Sequence, residues 1–200
     1  MTGLNRFSFD SLPVSAWRNG GGETREIISW PVGQAQFDWR ASIATIAADG
    51  PFSRFEGIDR SITLLSGAGV LLSDEGEAER RLDIPAHPFA FAGETPIYAR
   101  LIEDVTTDFN IMTCRGRAWA NVVAQRSGFT ASRRCAGLLY VLRGQWQAGE
   151  AITLSASEGV FWTQESEEEP LPELHVEPRA AESLLLWVEI VSQPRKTAAN

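Results

Sequence analysis

A chain of 200 residues, 44% of them hydrophobic, can bury one large core or two small ones. Its net charge of −8 argues against nucleic acid as a partner, because phosphate binding needs a basic footprint. Residues 1–10 have neither a basic region nor an apolar run, and no stretch reaches a membrane span, so a cytoplasmic protein without a membrane partner is expected.

Taken in chain order, Phe7, Phe9 and Leu12 alternate and then meet Pro13, which reads as a short strand running into a turn. Three consecutive glycines, Gly20-Gly21-Gly22, follow Trp17 and Asn19. Glycine forfeits backbone entropy, so such a run implies either a tight turn or amide groups and Asn19 lining a pocket. Residues 24–30 form the next strand, ended by Pro31. In residues 37–47 a period of two places Trp39, Ala41, Ile43 and Thr45 on one face and Arg40, Ser42, Ala44 and Ile46 on the other. Residues 49–60 are rich in turn formers, with room for at most a turn of helix. Residues 61–67 are a strongly apolar strand leading into a hairpin at residues 66–69, and residues 74–81 read as an exposed hairpin tip. Further strands are expected at 82–84, 89–93 and 97–101. In residues 107–114 alternation groups Asp108, Asn110 and Met112. A second series follows at 118–124, 133–143, 145–148, 151–154, 159–163 and 183–191, interrupted by an acidic stretch, residues 164–170, that reads as a solvated loop.

No long segment has helical periodicity, and short strands about ten residues apart predict an all-β barrel or sandwich. The series runs twice. Leu64-Leu65-Ser66-Gly67-Ala68-Gly69 has a counterpart in Tyr140-Val141-Leu142-Arg143-Gly144-Gln145-Trp146, and residues 83–91 are echoed by 155–162. Two related barrels are the expectation.

A strand ending in Leu-x-Gly, a hairpin and a later aromatic strand is the general pattern of a cupin. With Trp17-Arg18-Asn19-Gly20-Gly21-Gly22-Glu23-Thr24, Gly50-Pro51-Phe52-Ser53, Gly57-Ile58-Asp59-Arg60 and Asp108-Phe109-Asn110-Ile111-Met112, the chain resembles the HutD/Ves family, densely over residues 14–116 and thinly beyond. The resemblance implies a bicupin of two small antiparallel jelly-roll barrels, residues 1–115 and 116–200, with the pocket in the first. It further implies an association with histidine utilisation and a ligand such as formylglutamate or urocanate, while Ves-type members are linked to stress response. One departure is Glu103-Asp104-Val105, where the family pattern leads one to expect a Gly-Pro turn.

The inventory of reactive groups narrows the chemistry. Lys196 is the only lysine, which removes Schiff-base and P-loop chemistry from the fold, whereas arginine suits bidentate recognition of carboxylates. Cys114 and Cys135 lack CxxC spacing and read as reduced and buried. His87 and His175 are in no ligand spacing, so neither metal nor other cofactor is expected, and neither lies near a serine or cysteine it could activate. Glu26 and Asp108 could share acid–base work if buried together. The expected site binds a small carboxylate. Arg40 and Arg60 take the anion, each alternatively a salt-bridge partner of Asp38, Asp59 or Asp108. Asn19, Gly21, Gly22, Thr24, Ser42, Ser53, Asp108 and Asn110 supply hydrogen bonds, and Trp17 and Phe52 supply walls, with Phe55 and Trp39 reading as core. A metal-free binding protein is therefore the first expectation. The alternative is a cupin-type isomerase or hydrolase acting on a small acid; a weaker third reading is protein interaction through the acidic loop, and a homodimer stays open.

Overall fold

Period-two alternation between glycine and proline breaks produces strands almost throughout a computed structural model of the chain, which describes residues 3–74, 78–163 and 171–193. The earlier strands are β1 (Asn5–Ser8), β2 (Val14–Ala16), β3 (Gly22–Trp30), β4 (Trp39–Ile46), β5 (Gly50–Pro51), β6 (Ile58–Ser66), β7 (Val70–Ser73), β8 (Arg80–Leu82), β9 (Pro88–Ala92), β10 (Tyr98–Leu101) and β11 (Thr106–Cys114). The later ones are β12 (Ala118–Gln125), β13 (Phe129–Ala131), β14 (Ala136–Arg143), β15 (Gln145–Ala148), β16 (Ile152–Ser155), β17 (Glu158–Trp162), β18 (Leu174–Pro178) and β19 (Leu184–Ser192). Among the described residues the one helical element is a 3-10 turn at Phe9–Ser11, and no helix is long and apolar enough to cross a membrane. The turn of helix allowed for in residues 49–60 is absent; the two-residue strand β5 stands there instead. The acidic stretch 164–170 and residues 75–77 of the expected hairpin tip lie outside the described residues.

The strands form four antiparallel sheets with orders β2-β3-β4-β11-β6-β9, β5-β10-β7-β8, β1-β17-β14-β19-β12 and β13-β18-β15-β16. None closes into a barrel among the described residues; each half of the chain is a pair of open sheets. The duplication seen in the sequence is a duplication of topology, since β4-β11-β6-β9 has the order of β12-β19-β14-β17, and β5-β10-β7-β8 that of β13-β18-β15-β16. Even the irregularities repeat. β6 skips Leu65 in its pairing with β11, and β14 skips Leu142 in its pairing with β19. One residue after each bulged pair, Gly67 and Gly144 turn the chain at φ +93° and +77°, a conformation that favours glycine. The Leu-x-Gly echo is thus two copies of one bulge and turn.

Three cores hold the four layers together. Ile62 and Leu64 on β6 meet Val70, Leu72 and Ala99 between the first two sheets. Leu139, Val141, Trp146, Trp162 and Leu185 fill the space between the last two. Between these pairs, Trp39, Ile43, Phe109 and Ile111 pack against Leu138, Leu186, Val188 and Ile190. The first strand crosses this boundary: β1 pairs with β17, and Phe7 stacks on Tyr140 at 6.1 Å.

Because that central core is shared, both halves should unfold together. Urea denaturation followed by tryptophan fluorescence and by circular dichroism is expected to give one coincident transition. Phe109→Ala, at a fully buried position, should lower its stability by about 3–5 kcal/mol without splitting it. Two separate transitions would contradict a shared core.

Candidate functional site

The strands β4, β11 and β6 turn one set of alternate side chains to the central core and the other toward a cavity of about 590 Å³ in the first half. Register aligns the cavity face in rows. Ser42, Asn110 and Ile62 lie side by side, and Arg40, Met112 and Arg60 form the row beyond them. Ala44 and Asp108 form the opposite row, with Thr24 joining from β3. A bulge between Glu26 and Ile28 then reverses the alternation of β3, so that Ile28 enters the central core.

The rim is built by the turn between β2 and β3. Trp17 donates its ring N–H to Thr24 Oγ1 at 2.8 Å, which fixes the indole against the cavity. Gly22 is required by this packing, since a Cβ there would meet the Thr45 carbonyl oxygen and lie 3.1 Å from the Trp17 ring. The glycine run works inside the turn. Gly20 donates to the Trp17 carbonyl and Gly21 donates to Asn19 Oδ1 at 3.1 Å, while the Gly21 carbonyl accepts from Ala47 and Ala48. Gly21 and Gly22 consequently fall outside the cavity wall, although Trp17 and Asn19 line it.

The charged groups differ sharply in how they are matched. Arg40, one-quarter exposed, donates to Glu26 Oε2 at 2.6 Å; its partner is none of the three aspartates expected. Asp38 instead faces Arg117 and Asp59 faces Arg115. Arg115 also binds Glu94, which accepts from the Gly57 amide and so fixes the start of β6, three residues before Arg60. Hydrogen bonding to Arg115 above all holds the Glu94 carboxyl down at about 2.

Arg60 is 8% exposed and finds no carboxylate among the described residues. Its Nη1 donates to the Ser53 carbonyl at 3.1 Å, its Nε has no partner, and its guanidinium lies 4.9–5.5 Å from the ring centres of Phe52, Phe55 and Phe91. Burial first, and the charge of Arg40 second, lower its pKa to about 10, which leaves it charged at neutral pH. Asp108 is 1% exposed with both oxygens unpartnered, and burial pushes its pKa up to about 7.

Ten of the expected residues therefore converge on one cavity: Trp17, Asn19, Thr24, Arg40, Ser42, Phe52, Ser53, Arg60, Asp108 and Asn110. Phe55, expected as core, is a cavity wall, whereas Trp39 is fully buried. Met112, Ala44 and Ile46 also line the cavity, and the alternation that groups them with Asp108 and Arg40 carried that signal. Glu26 and Asp108 are not buried together; the Glu26 side chain is 43% exposed. Cys114 is half-buried rather than buried, and Cys135 is buried beside Glu189. His87 and His175 are exposed, and no three His, Cys, Asp or Glu among the described residues are placed to hold a metal ion.

The model of the HutD family matches residues 10–185, well past the region where the motifs are dense. Protein Ves of Citrobacter koseri is 43% identical over 161 residues, covering 80% of this chain and 83% of that protein. The solved structure of HutD from Pseudomonas fluorescens SBW25, in a formate condition, superposes with a TM-score of 0.83 at 26% identity, covering 96% of this chain and 100% of that one. At 10% identity, oxalate decarboxylase of Lactobacillus farciminis superposes with a TM-score of 0.59 over 94% of this chain and 86% of that one, which supports a cupin-like fold alone.

The buried acid sets a pH dependence of stability. The folded-state pKa of Asp108 lies above that of an unfolded aspartate, near 3.9, so between about pH 4 and 7 the folded chain holds a proton the unfolded chain releases. Stability contributed by this group falls as pH rises through that window and levels off above it, a loss of about 4 kcal/mol. Asp108→Asn should therefore be more stable than the parent by about 2–4 kcal/mol at pH 8 and nearly equal to it at about pH 3.5. Parallel denaturation midpoints at all pH values would show that ionising Asp108 is not costly.

Proposed function

Because the chain belongs to the HutD family, we propose that it is a cytoplasmic binding protein whose first-half cavity takes a small carboxylate metabolite of histidine degradation, formylglutamate or urocanate. It would do so without metal or cofactor, in a buffering or regulatory role. The observation that carries this reading is Arg60: a buried guanidinium unmatched by any carboxylate among the described residues, with its Nε unpartnered, favours an anion from outside. The three phenyl rings around it keep the fork oriented. Arg40 adds positive potential at the same wall, though Glu26 already offsets it. Neither histidine and neither cysteine lines the cavity, which favours binding over nucleophilic hydrolysis. The repeated strand order supports reading the halves as two jelly-roll units of a bicupin dividing near residue 115.

Calorimetric titration tests this directly. Arg60→Ala should weaken formylglutamate or urocanate binding well over tenfold, consistent with about 2–5 kcal/mol for one partner of a desolvated charge pair, and Arg40→Ala should weaken it less. Thermal melting of the same preparations separates binding from folding. Absence of binding by the parent to either acid, or unchanged affinity in Arg60→Ala, would remove the support for an anion pocket.

A further inference from the structure

The polarity of the unpartnered groups narrows the ligand further, resting on the carboxylate-binding reading above. Asp108 and Asn110 are two apart on β11 and face the same cavity, 1% and 8% exposed. Among the described residues neither carboxylate oxygen of Asp108 has a donor, and neither has Oδ1 of Asn110. All three orphaned atoms are acceptors once Asp108 is ionised. Two donors near the rim are engaged within the chain: the Trp17 ring N–H goes to Thr24 and the Gly21 amide to Asn19. At the other end the orphan is a donor, Nε of Arg60. Arg60 stands opposite Met112, and Asp108 lies four residues from Met112 along β11, about 13 Å between backbones before either side chain reaches inward. A ligand satisfying both ends must be bifunctional.

We propose that the cavity selects a small acid whose other end carries N–H donors, with its carboxylate on Arg60 and its N–H groups on Asp108 and Asn110. The class includes azole-bearing acids and amino acids. Where Asp108 is ionised, the cavity disfavours acids of the same size whose far end only accepts hydrogen bonds, because those would leave the three buried acceptors unpaired.

The test is a matched pair of probes, urocanate and trans-3-(furan-2-yl)acrylate, which keeps the shape and the carboxylate but replaces the ring N–H chemistry with an oxygen. Calorimetry with the full chain at pH 8, above the Asp108 pKa of about 7, should show urocanate binding at least about tenfold more tightly. Asp108→Leu should remove that preference by weakening urocanate and leaving the furan acid nearly unchanged. Asp108→Asn, a smaller change, should reduce the preference partway, and melting of each variant checks its fold. Equal affinity for the two acids in the parent, with Arg60→Ala abolishing both, would overturn the N–H preference and leave the carboxylate pocket standing. Binding of neither acid would overturn both.

Discussion

A strand shows alternate side chains to opposite faces, and β4 and β11 have a different environment on each. One set, Trp39, Ala41, Ile43, Phe109 and Ile111, is buried against the second half of the chain. The other set includes Arg40, Ser42, Asp108 and Asn110, which face the cavity. A slip of one residue would drive Asp108 into the central core and expose Phe109, so the apolar contact between the halves fixes the register and with it every polar group of the site. The precision of the cavity is thus borrowed from an interface that no ligand touches.

That alternation is also why so much of the site could be read from residue order. Period two groups Asp108 with Asn110 and Arg40 with Ser42 without any knowledge of which sheet they enter. Partners across elements are another matter. Arg40 meets Glu26 because the register sets Glu26 beside Ser42, the next residue on the same face of β4, and the cluster around Arg60 draws rings from residues 52, 55 and 91, two segments with no local signal joining them. The glycine run suggested amides facing a ligand; the Asn19 turn and the close approach of Trp17 and β4 to Gly22 turn those groups inward instead. Strands of two or three residues, such as β2, β5 and β13, are too short to show alternation. The pairing of β1 with β17 is a contact between distant segments that composition cannot announce.

Matching the two bulges gives a residue-level comparison of the halves. Counted from them, Asp108 corresponds to Leu185 and Asn110 to Trp187, while on the neighbouring strand Arg60 corresponds to Gly137. Where the first half places a guanidinium, the second has no side chain at all. The rings of Trp162 and Trp187 occupy the position, so close that a Cβ on Gly137 would collide with both. These indoles stack at 5.4 Å in the core between the last two sheets. The same topology is therefore hollow and polar in one copy and filled with tryptophan in the other.

Buried charges without partners are local frustration, tolerated in a folded protein when the surrounding structure supplies more than enough cohesion. Here the duplicated fold separates the two demands. The copy with Leu185 and Trp187 contributes a dense apolar interior, and the shared layer between the halves transmits that cohesion to the copy that carries Asp108 and Arg60. The tryptophan-filled half acts as a keel: it leaves the other free to keep an interior unsuited to stability and suited to recognition.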